Sequence, residues 1–157
     1  MEAAEIEQPS RPVELSDARA WLLGVIAPGA AGLLISIIWR PKGTYFWPWL
    51  EQLSLDRTAD ALRMALGGVG PWLPSWVLYS LPGALYAFTL TMAAALLIRE
   101  RDAVRSGWVW APMGLAWAHE GAQWIGLRPG SSDWQDVLGY GLGALCAWAV
   151  TRTLDTD

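Results

Sequence analysis

What most constrains the fold of this 157-residue chain is the placement of its charges. Acidic and basic residues are concentrated in Glu2 to Arg19, Arg40 to Arg63, Glu100 to Arg105 and the last few positions. Between them lie apolar runs, Leu22 to Ile38 and Leu81 to Ile98 among them, too long for a soluble globule of this size to bury. With 54% hydrophobic and 17% charged residues, the composition makes acyl chains the natural solvent. Tryptophan supports the same reading. The chain has 12, many beside the ends of apolar runs: Trp21 and Trp39, Trp72 and Trp76, Trp108 and Trp110, Trp124 and Trp134. Indoles at run boundaries form interfacial belts, whereas core tryptophans of a soluble protein have no reason to cluster there.

The expected fold class is all-α, an integral membrane four-helix bundle over residues 20–152, with a polar tail at 1–19 and a short C-terminal tail at 153–157. Crossings are expected at about 21–39, 81–98, 107–127 and 134–151. The first covers about 27 Å at 1.5 Å per residue, close to the hydrocarbon thickness, and Pro28-Gly29 near its centre is predicted to bend it. Gly24, Pro28, Gly32 and Ser36 recur at four-residue spacing and leave one face low enough for close helix packing. Gly139, Gly143 and Ala147 repeat the device in the last crossing. Ser80 can cap the second crossing, with Pro82 tolerated in its first turn. The turn Arg128-Pro129-Gly130 should reverse the chain between the third and fourth.

Residues 40–80 carry Glu51, Asp56, Arg57, Asp60 and Arg63, which argue against a full crossing. Leu55, Ala59, Leu62 and Leu66 share one helical stripe apart from those charges, which predicts a short amphipathic helix lying on the membrane surface; a lid over the bundle is the functional alternative. Gly67, Gly68, Gly70, Pro71 and Pro74 end it.

The net charge of -4 arises largely from the acidic N-terminal tail, so no basic surface is offered to nucleic acid. Glu2, Glu5 and Glu7 do not resemble the basic start of a cleaved signal peptide, and the first apolar run is expected to remain as an anchor. Arg11, Arg19, Arg99, Arg101, Arg105 and Arg152 fall on the side of the termini, against Arg40, Lys42, Arg57, Arg63 and Arg128 opposite. Three arginines crowd the short link between the second and third crossings, which favours cytoplasmic termini in a multi-pass protein of a bacterial inner membrane. The lipid bilayer is the expected surrounding, with another membrane protein or a lipid-linked ligand as partner. Cys146, the single cysteine, excludes an intrachain disulfide, and no cofactor is expected.

Chemistry is concentrated in His119-Glu120-Gly121-Ala122-Gln123 and in the segment from Ser131 to Tyr140, which holds Asp133 and Asp136. Glu120 and Gln123 lie three apart and share a helix face; Asp136 and Tyr140, four apart, share a face of the next helix. Glu120 sits deeper than the turn, and Asp136 lies in the first turn of the last crossing. The two faces can therefore meet roughly 5 to 10 Å below the surface, where an ionised group must be paired or hydrogen-bonded. One reading is a polar clamp between the last two helices, with Ser132 and Gln135, or Asp133 and Asp136, acting as helix caps. The other is a substrate, proton or metal site with Glu120 as acid or base, His119 assisting, and Asp133 or Asp136 orienting the ligand. A zinc motif is excluded because the chain has 1 histidine. There is likewise no serine nucleophile elbow, glycine-rich phosphate loop or cysteine–histidine pair.

The string Glu120-x-x-Gln123, Pro129-Gly130 and Asp136-x-x-x-Tyr140-x-x-Gly143 resembles the C-terminal signature of VanZ-like membrane proteins. Ser131 stands where that family usually has Arg, Tyr140 where it has Asn, and its early Asp-Lys and His motif is absent. The resemblance implies a cell-envelope protein of similar span count, in a family linked to glycopeptide-antibiotic tolerance, and it carries no reaction with it. It favours action through packing or a partner, with Glu120, Gln123, Asp136 and Tyr140 bracing the last hairpin. A membrane enzyme or carrier for an amphipathic ligand is the rival.

Overall fold

A computed structural model describes residues 15–42, 46–98, 107–128 and 132–154. The arginine-rich link, Pro129 and Gly130 of the expected turn, Ser131 and most of both tails lie outside the described residues. Among the described residues there is no β-strand, and their architecture is all-α.

The first apolar run forms α1 (Leu15–Trp21), a π-helical turn (Leu22–Ile26) and α2 (Ala27–Trp39) without interruption. The π turn is the physical answer to Pro28. A proline ring clashes with the carbonyl four residues before it, at Gly24, and the wider turn, closed by Ala27 N–H onto the Leu22 carbonyl, absorbs that clash. The expected small-residue face packs on α6 (Leu81–Ile98). A Cβ at Gly24 would lie 2.7 Å from Met92 Cγ, and one at Gly32 would lie 3.3 Å from the Pro82 carbonyl oxygen. The Tyr86 hydroxyl donates to Ser36 Oγ at 3.3 Å. Chain direction therefore reverses between α2 and α6.

Helix α6 has the bounds expected from the sequence, but Ser80 does not cap it. Its side chain is buried, and Oγ has no hydrogen-bond partner.

The third expected helix is shorter than 107–127. A 3-10 turn (Trp108–Trp110) leads into α7 (Ala111–Trp124). Helix α7 stops because Gly126 is left-handed, with φ at 74°. Gly126 N–H bonds the Gln123 carbonyl and Leu127 N–H the Ala122 carbonyl, which together make a Schellman end. Helix α8 (Trp134–Leu154) runs beside α6 in the most extensive helix pairing among the described residues. Gly143 makes this possible: a Cβ there would collide with the Ala84 carbonyl.

Between α2 and α6 the chain forms α3 (Trp47–Gln52), α4 (Asp56–Leu66), a 3-10 turn (Gly67–Trp72) and α5 (Ser75–Tyr79). The amphipathic helix is present as α4, and its buried contact is Ala59, clustered with Ile37, Trp47 and Leu50. Leu55 and Leu66 of the predicted stripe remain exposed. Arg63 anchors α4, donating to the carbonyls of Ile37 at 2.8 Å and Arg40 at 2.7 Å. Those are carbonyls at the end of α2 that have no partner within the helix. The segment thus caps the end of α2, where Trp39 also packs on Gly70.

Candidate functional site

Because α6 and α8 run parallel and α2 and α7 run against them, the end of α2, the start of α6, the end of α7 and the start of α8 share one end of the molecule. The polar residues that the sequence places inside apolar helices gather just below that end.

Glu120 is 5% exposed. Its Oε1 accepts a long hydrogen bond, 3.4 Å, from the Tyr140 hydroxyl, while Oε2 is buried with no partner. Asp136 Oδ1 is likewise buried and unpartnered. Tyr140 is held by the bare backbone of Gly83, where a Cβ would lie 2.6 Å from Tyr140 Cε1. Arg40, just past the end of α2, completes the group. Its Nη2 donates to the Tyr79 carbonyl, and its Nε is buried without a partner. Glu120, Asp136 and Arg40 are the ionisable side chains that lie in the neighbourhood of the Tyr140 hydroxyl.

Other residues of the expected cluster lie elsewhere. His119 is one position round the helix from Glu120, a rotation of about 100°. It faces Gln123 (Nε2 to Nε2, 3.1 Å) and Arg128 (Nη1 to Nδ1, 3.3 Å). A neutral imidazole can accept only one of these bonds, since its other ring nitrogen carries the proton. Gln123 therefore supports His119 rather than Glu120, and His119 does not reach the buried carboxylates. Asp133 is occupied as a helix cap, its Oδ1 accepting the Gln135 N–H at 2.9 Å. Trp117 Nε1 donates to the Val137 carbonyl at 3.0 Å and clamps α7 to α8.

Arg40 is the site residue that sequence spacing missed. Its position directly after a tryptophan at the end of an apolar run is the available signal, since arginines there extend along the helix end. Its neighbours in the site lie far along the chain, beyond any local periodicity.

The arrangement leaves two carboxylate oxygens, one guanidinium N–H and the Ser80 hydroxyl buried and unpaired. Each such group costs about 1–3 kcal/mol, more when charged, until a donor or acceptor reaches it. Among the described residues no set of three His, Cys, Asp or Glu side chains is placed to hold a metal ion.

Beside the site, an apolar groove of about 550 Å³ runs between α6 and α8 from Trp76, Ser80 and Trp134 to Phe88 and Cys146. Fold and site together define a small all-helical protein with unsatisfied polar groups buried at one end of its helices. The chain matches no protein-family model, no curated protein and no solved structure.

Proposed function

We propose that this protein is a four-span protein of a bacterial cytoplasmic membrane, with both termini cytoplasmic, that binds the polar head of an amphipathic ligand at Glu120, Asp136, Tyr140 and Arg40. Two helical stretches, Ala18–Trp39 and Leu81–Ile98, are long and apolar enough to cross a membrane, and only 28% and 33% of their most apolar windows is buried. Helix α7 with its preceding 3-10 turn is about 27 Å long, and α8 about 31 Å, both close to the hydrocarbon thickness. Leu115 of α7 and Leu138, Leu142 and Leu145 of α8 turn outward, as do Leu23 and Leu97 on the first two. Apolar surface displayed by all four is the pattern of a lipid-facing bundle.

The observation that carries the ligand reading is the pair of unpaired oxygens on Glu120 and Asp136. A clamp that existed only to join helices gains nothing from leaving them unpaired, because an unsatisfied buried carboxylate weakens the contact it belongs to. As a buried carboxyl group within an apolar helix, Glu120 fits a carrier or a membrane enzyme. The VanZ-like resemblance is kept as the guide to architecture and location: of its motif residues, Glu120, Asp136 and Tyr140 fall in one cluster, and Gly143 in the adjoining helix contact.

A bracing role is the second reading, favoured by the Tyr140–Glu120 and Trp117–Val137 bonds. Purification of the wild type, Glu120→Gln and Asp136→Asn in mild detergent, with thermal unfolding and mass spectrometry of bound lipids, separates the two. Ligand binding predicts folded variants with a changed lipid complement. Parallel loss of thermal stability with an unchanged complement would establish bracing instead.

A further inference from the structure

From the face that α8 turns outward, we infer that the protein is a parallel two-fold dimer in which a second copy packs its α8 along this one. Leu138, Leu142, Leu145 and Ala149 follow one another at four, three and four residues, and at 100° per residue they fall within about 60° of arc. All four are exposed, the leucines by 54%, 61% and 50%. Alternating steps of three and four form a seam between paired helices. Arg152, the next position of the series, lies over the Trp148 ring at 4.0 Å, which draws its charge off the seam.

The relief of this face says what covers it. Leu138 and Leu142 line both the groove between α6 and α8 and a second one, of about 320 Å³, between α7 and α8. They are therefore the crest between two furrows. A crest beside a furrow is self-complementary under a two-fold axis parallel to both, because each copy's row then enters the other's groove. Copies of a four-span protein all insert the same way round, so that axis lies along the membrane normal; the inference rests on the four-span part of the reading above and is independent of the polar cluster. The larger groove, about 550 Å³ along about 18 Å of α8, has a mean cross-section of about 30 Å². That admits one row of leucine side chains and not a whole helix about 10 Å across. A lipid chain would need the furrow but not the matching crest. At about 200 Å² for a large side chain, the exposed parts of Trp134, Leu138, Leu142 and Leu145 come to on the order of 450 Å² per copy. The α6 wall, with Trp76, Leu85 and Phe88, brings this towards the roughly 600–1,000 Å² per copy of a stable interface. Since lipid gives helices no hydrophobic reason to meet, this fit supplies the contact, while Leu23, Leu97 and Leu115 stay exposed to acyl chains.

The test is disulfide trapping of the full chain in membranes, with single-molecule subunit counting in dilute liposomes. In a Cys146→Ser background, Leu142→Cys and Ala149→Cys place thiols on the seam, where paired Cα atoms come within the roughly 4.4–6.8 Å reach of a disulfide. Both should cross-link to a dimer under mild oxidation. Leu97→Cys and Leu115→Cys, on exposed surface of α6 and α7, should not. Leu142→Trp overfills the seam and should raise the dimer dissociation constant at least tenfold, whereas Leu97→Trp should leave it unchanged. Thermal unfolding of each variant in detergent checks the fold. Cross-linking as strong at Leu97 or Leu115 as on the seam, or a wild type that counts as a monomer at every dilution, would overturn the inference and leave the four-span reading intact. A monomer that carries lipid would give the groove to an acyl chain instead. Recovery of the chain in aqueous buffer without detergent would remove the four-span reading, and the dimer with it.

Discussion

At the scale of single residues, glycine decides where helices can touch. Gly143 faces the Ala84 carbonyl, a backbone atom that cannot swing aside, whereas a methyl group added at Gly121 would have nothing within 4 Å. Gly143→Ala should cost about 1–3 kcal/mol through forced separation of α6 and α8, and Gly121→Ala should cost nothing measurable. Comparing their thermal midpoints in one detergent checks both. Gly83 is different in kind, because its neighbour is the ring of Tyr140. Gly83→Ala should push that ring away from Glu120 and reproduce the lipid profile of Glu120→Gln; an unaltered profile in a folded protein would show that Tyr140 has no part in the site. His119 shows the limit of local reading. It is adjacent to Glu120 in sequence, yet one step round a helix directs it to Gln123 and Arg128.

Helix α4 illustrates what the element scale adds. Its amphipathic stripe is readable from Leu55, Ala59, Leu62 and Leu66, but its attachment depends also on Arg63, at the edge of that stripe four residues after Ala59, bonding the end of α2. Trp47 has two cations over its ring, Lys42 at 5.3 Å and Arg63 at 5.5 Å from the centroid. Arg63→Ala removes two charge-assisted bonds to backbone carbonyls and should cost about 2–3 kcal/mol. The Lys42–Asp60 pair, 59% and 43% exposed, is screened by water, and Lys42→Ala should cost under about 1 kcal/mol. Hydrogen exchange over 56–66 is expected to accelerate strongly in the first variant and little in the second. Similar protection in both would mean that the Ala59 cluster alone holds α4 in place. Arg40 sits beneath this attachment, with its carbonyl bound by Arg63 and its guanidinium by Tyr79, so loosening α4 should also perturb the site.

For the whole molecule the decisive quantity is the number of crossings. Four place residues 40–80 and the turn near 128 on one side of the membrane and both termini on the other. A fluorescent protein fused after Asp157 should fold in the cytoplasm, and a periplasm-dependent reporter inserted near Gly68 should be active. Activity of the periplasmic reporter at the C-terminus would require an odd number of spans or an inverted protein. Most exposed tryptophans agree with two levels: Trp49, Trp72, Trp76, Trp124 and Trp134 are exposed at the end carrying the site and Trp108 at the other, while Trp117 is exposed between them and bonded to Val137.

The sequence by itself determined the local facts. Helix content, the bounds of α6, the small-residue faces of α2 and α8, and the amphipathic α4 all follow from periods of a few residues and from the composition of each run. The tertiary structure alone decided which polar groups meet. It joined Arg40 to a cluster assembled from α2, α7 and α8, assigned Gln123 to His119 and Asp133 to a helix cap, and left Ser80 unpaired. Spacing fixes the direction of a side chain about its own helix, but the partner in that direction belongs to another helix, and its rotation and depth are set by bulk at the contact, here by Gly83, Gly139 and Gly143. That is why the helices were legible before the structure and the site only in part.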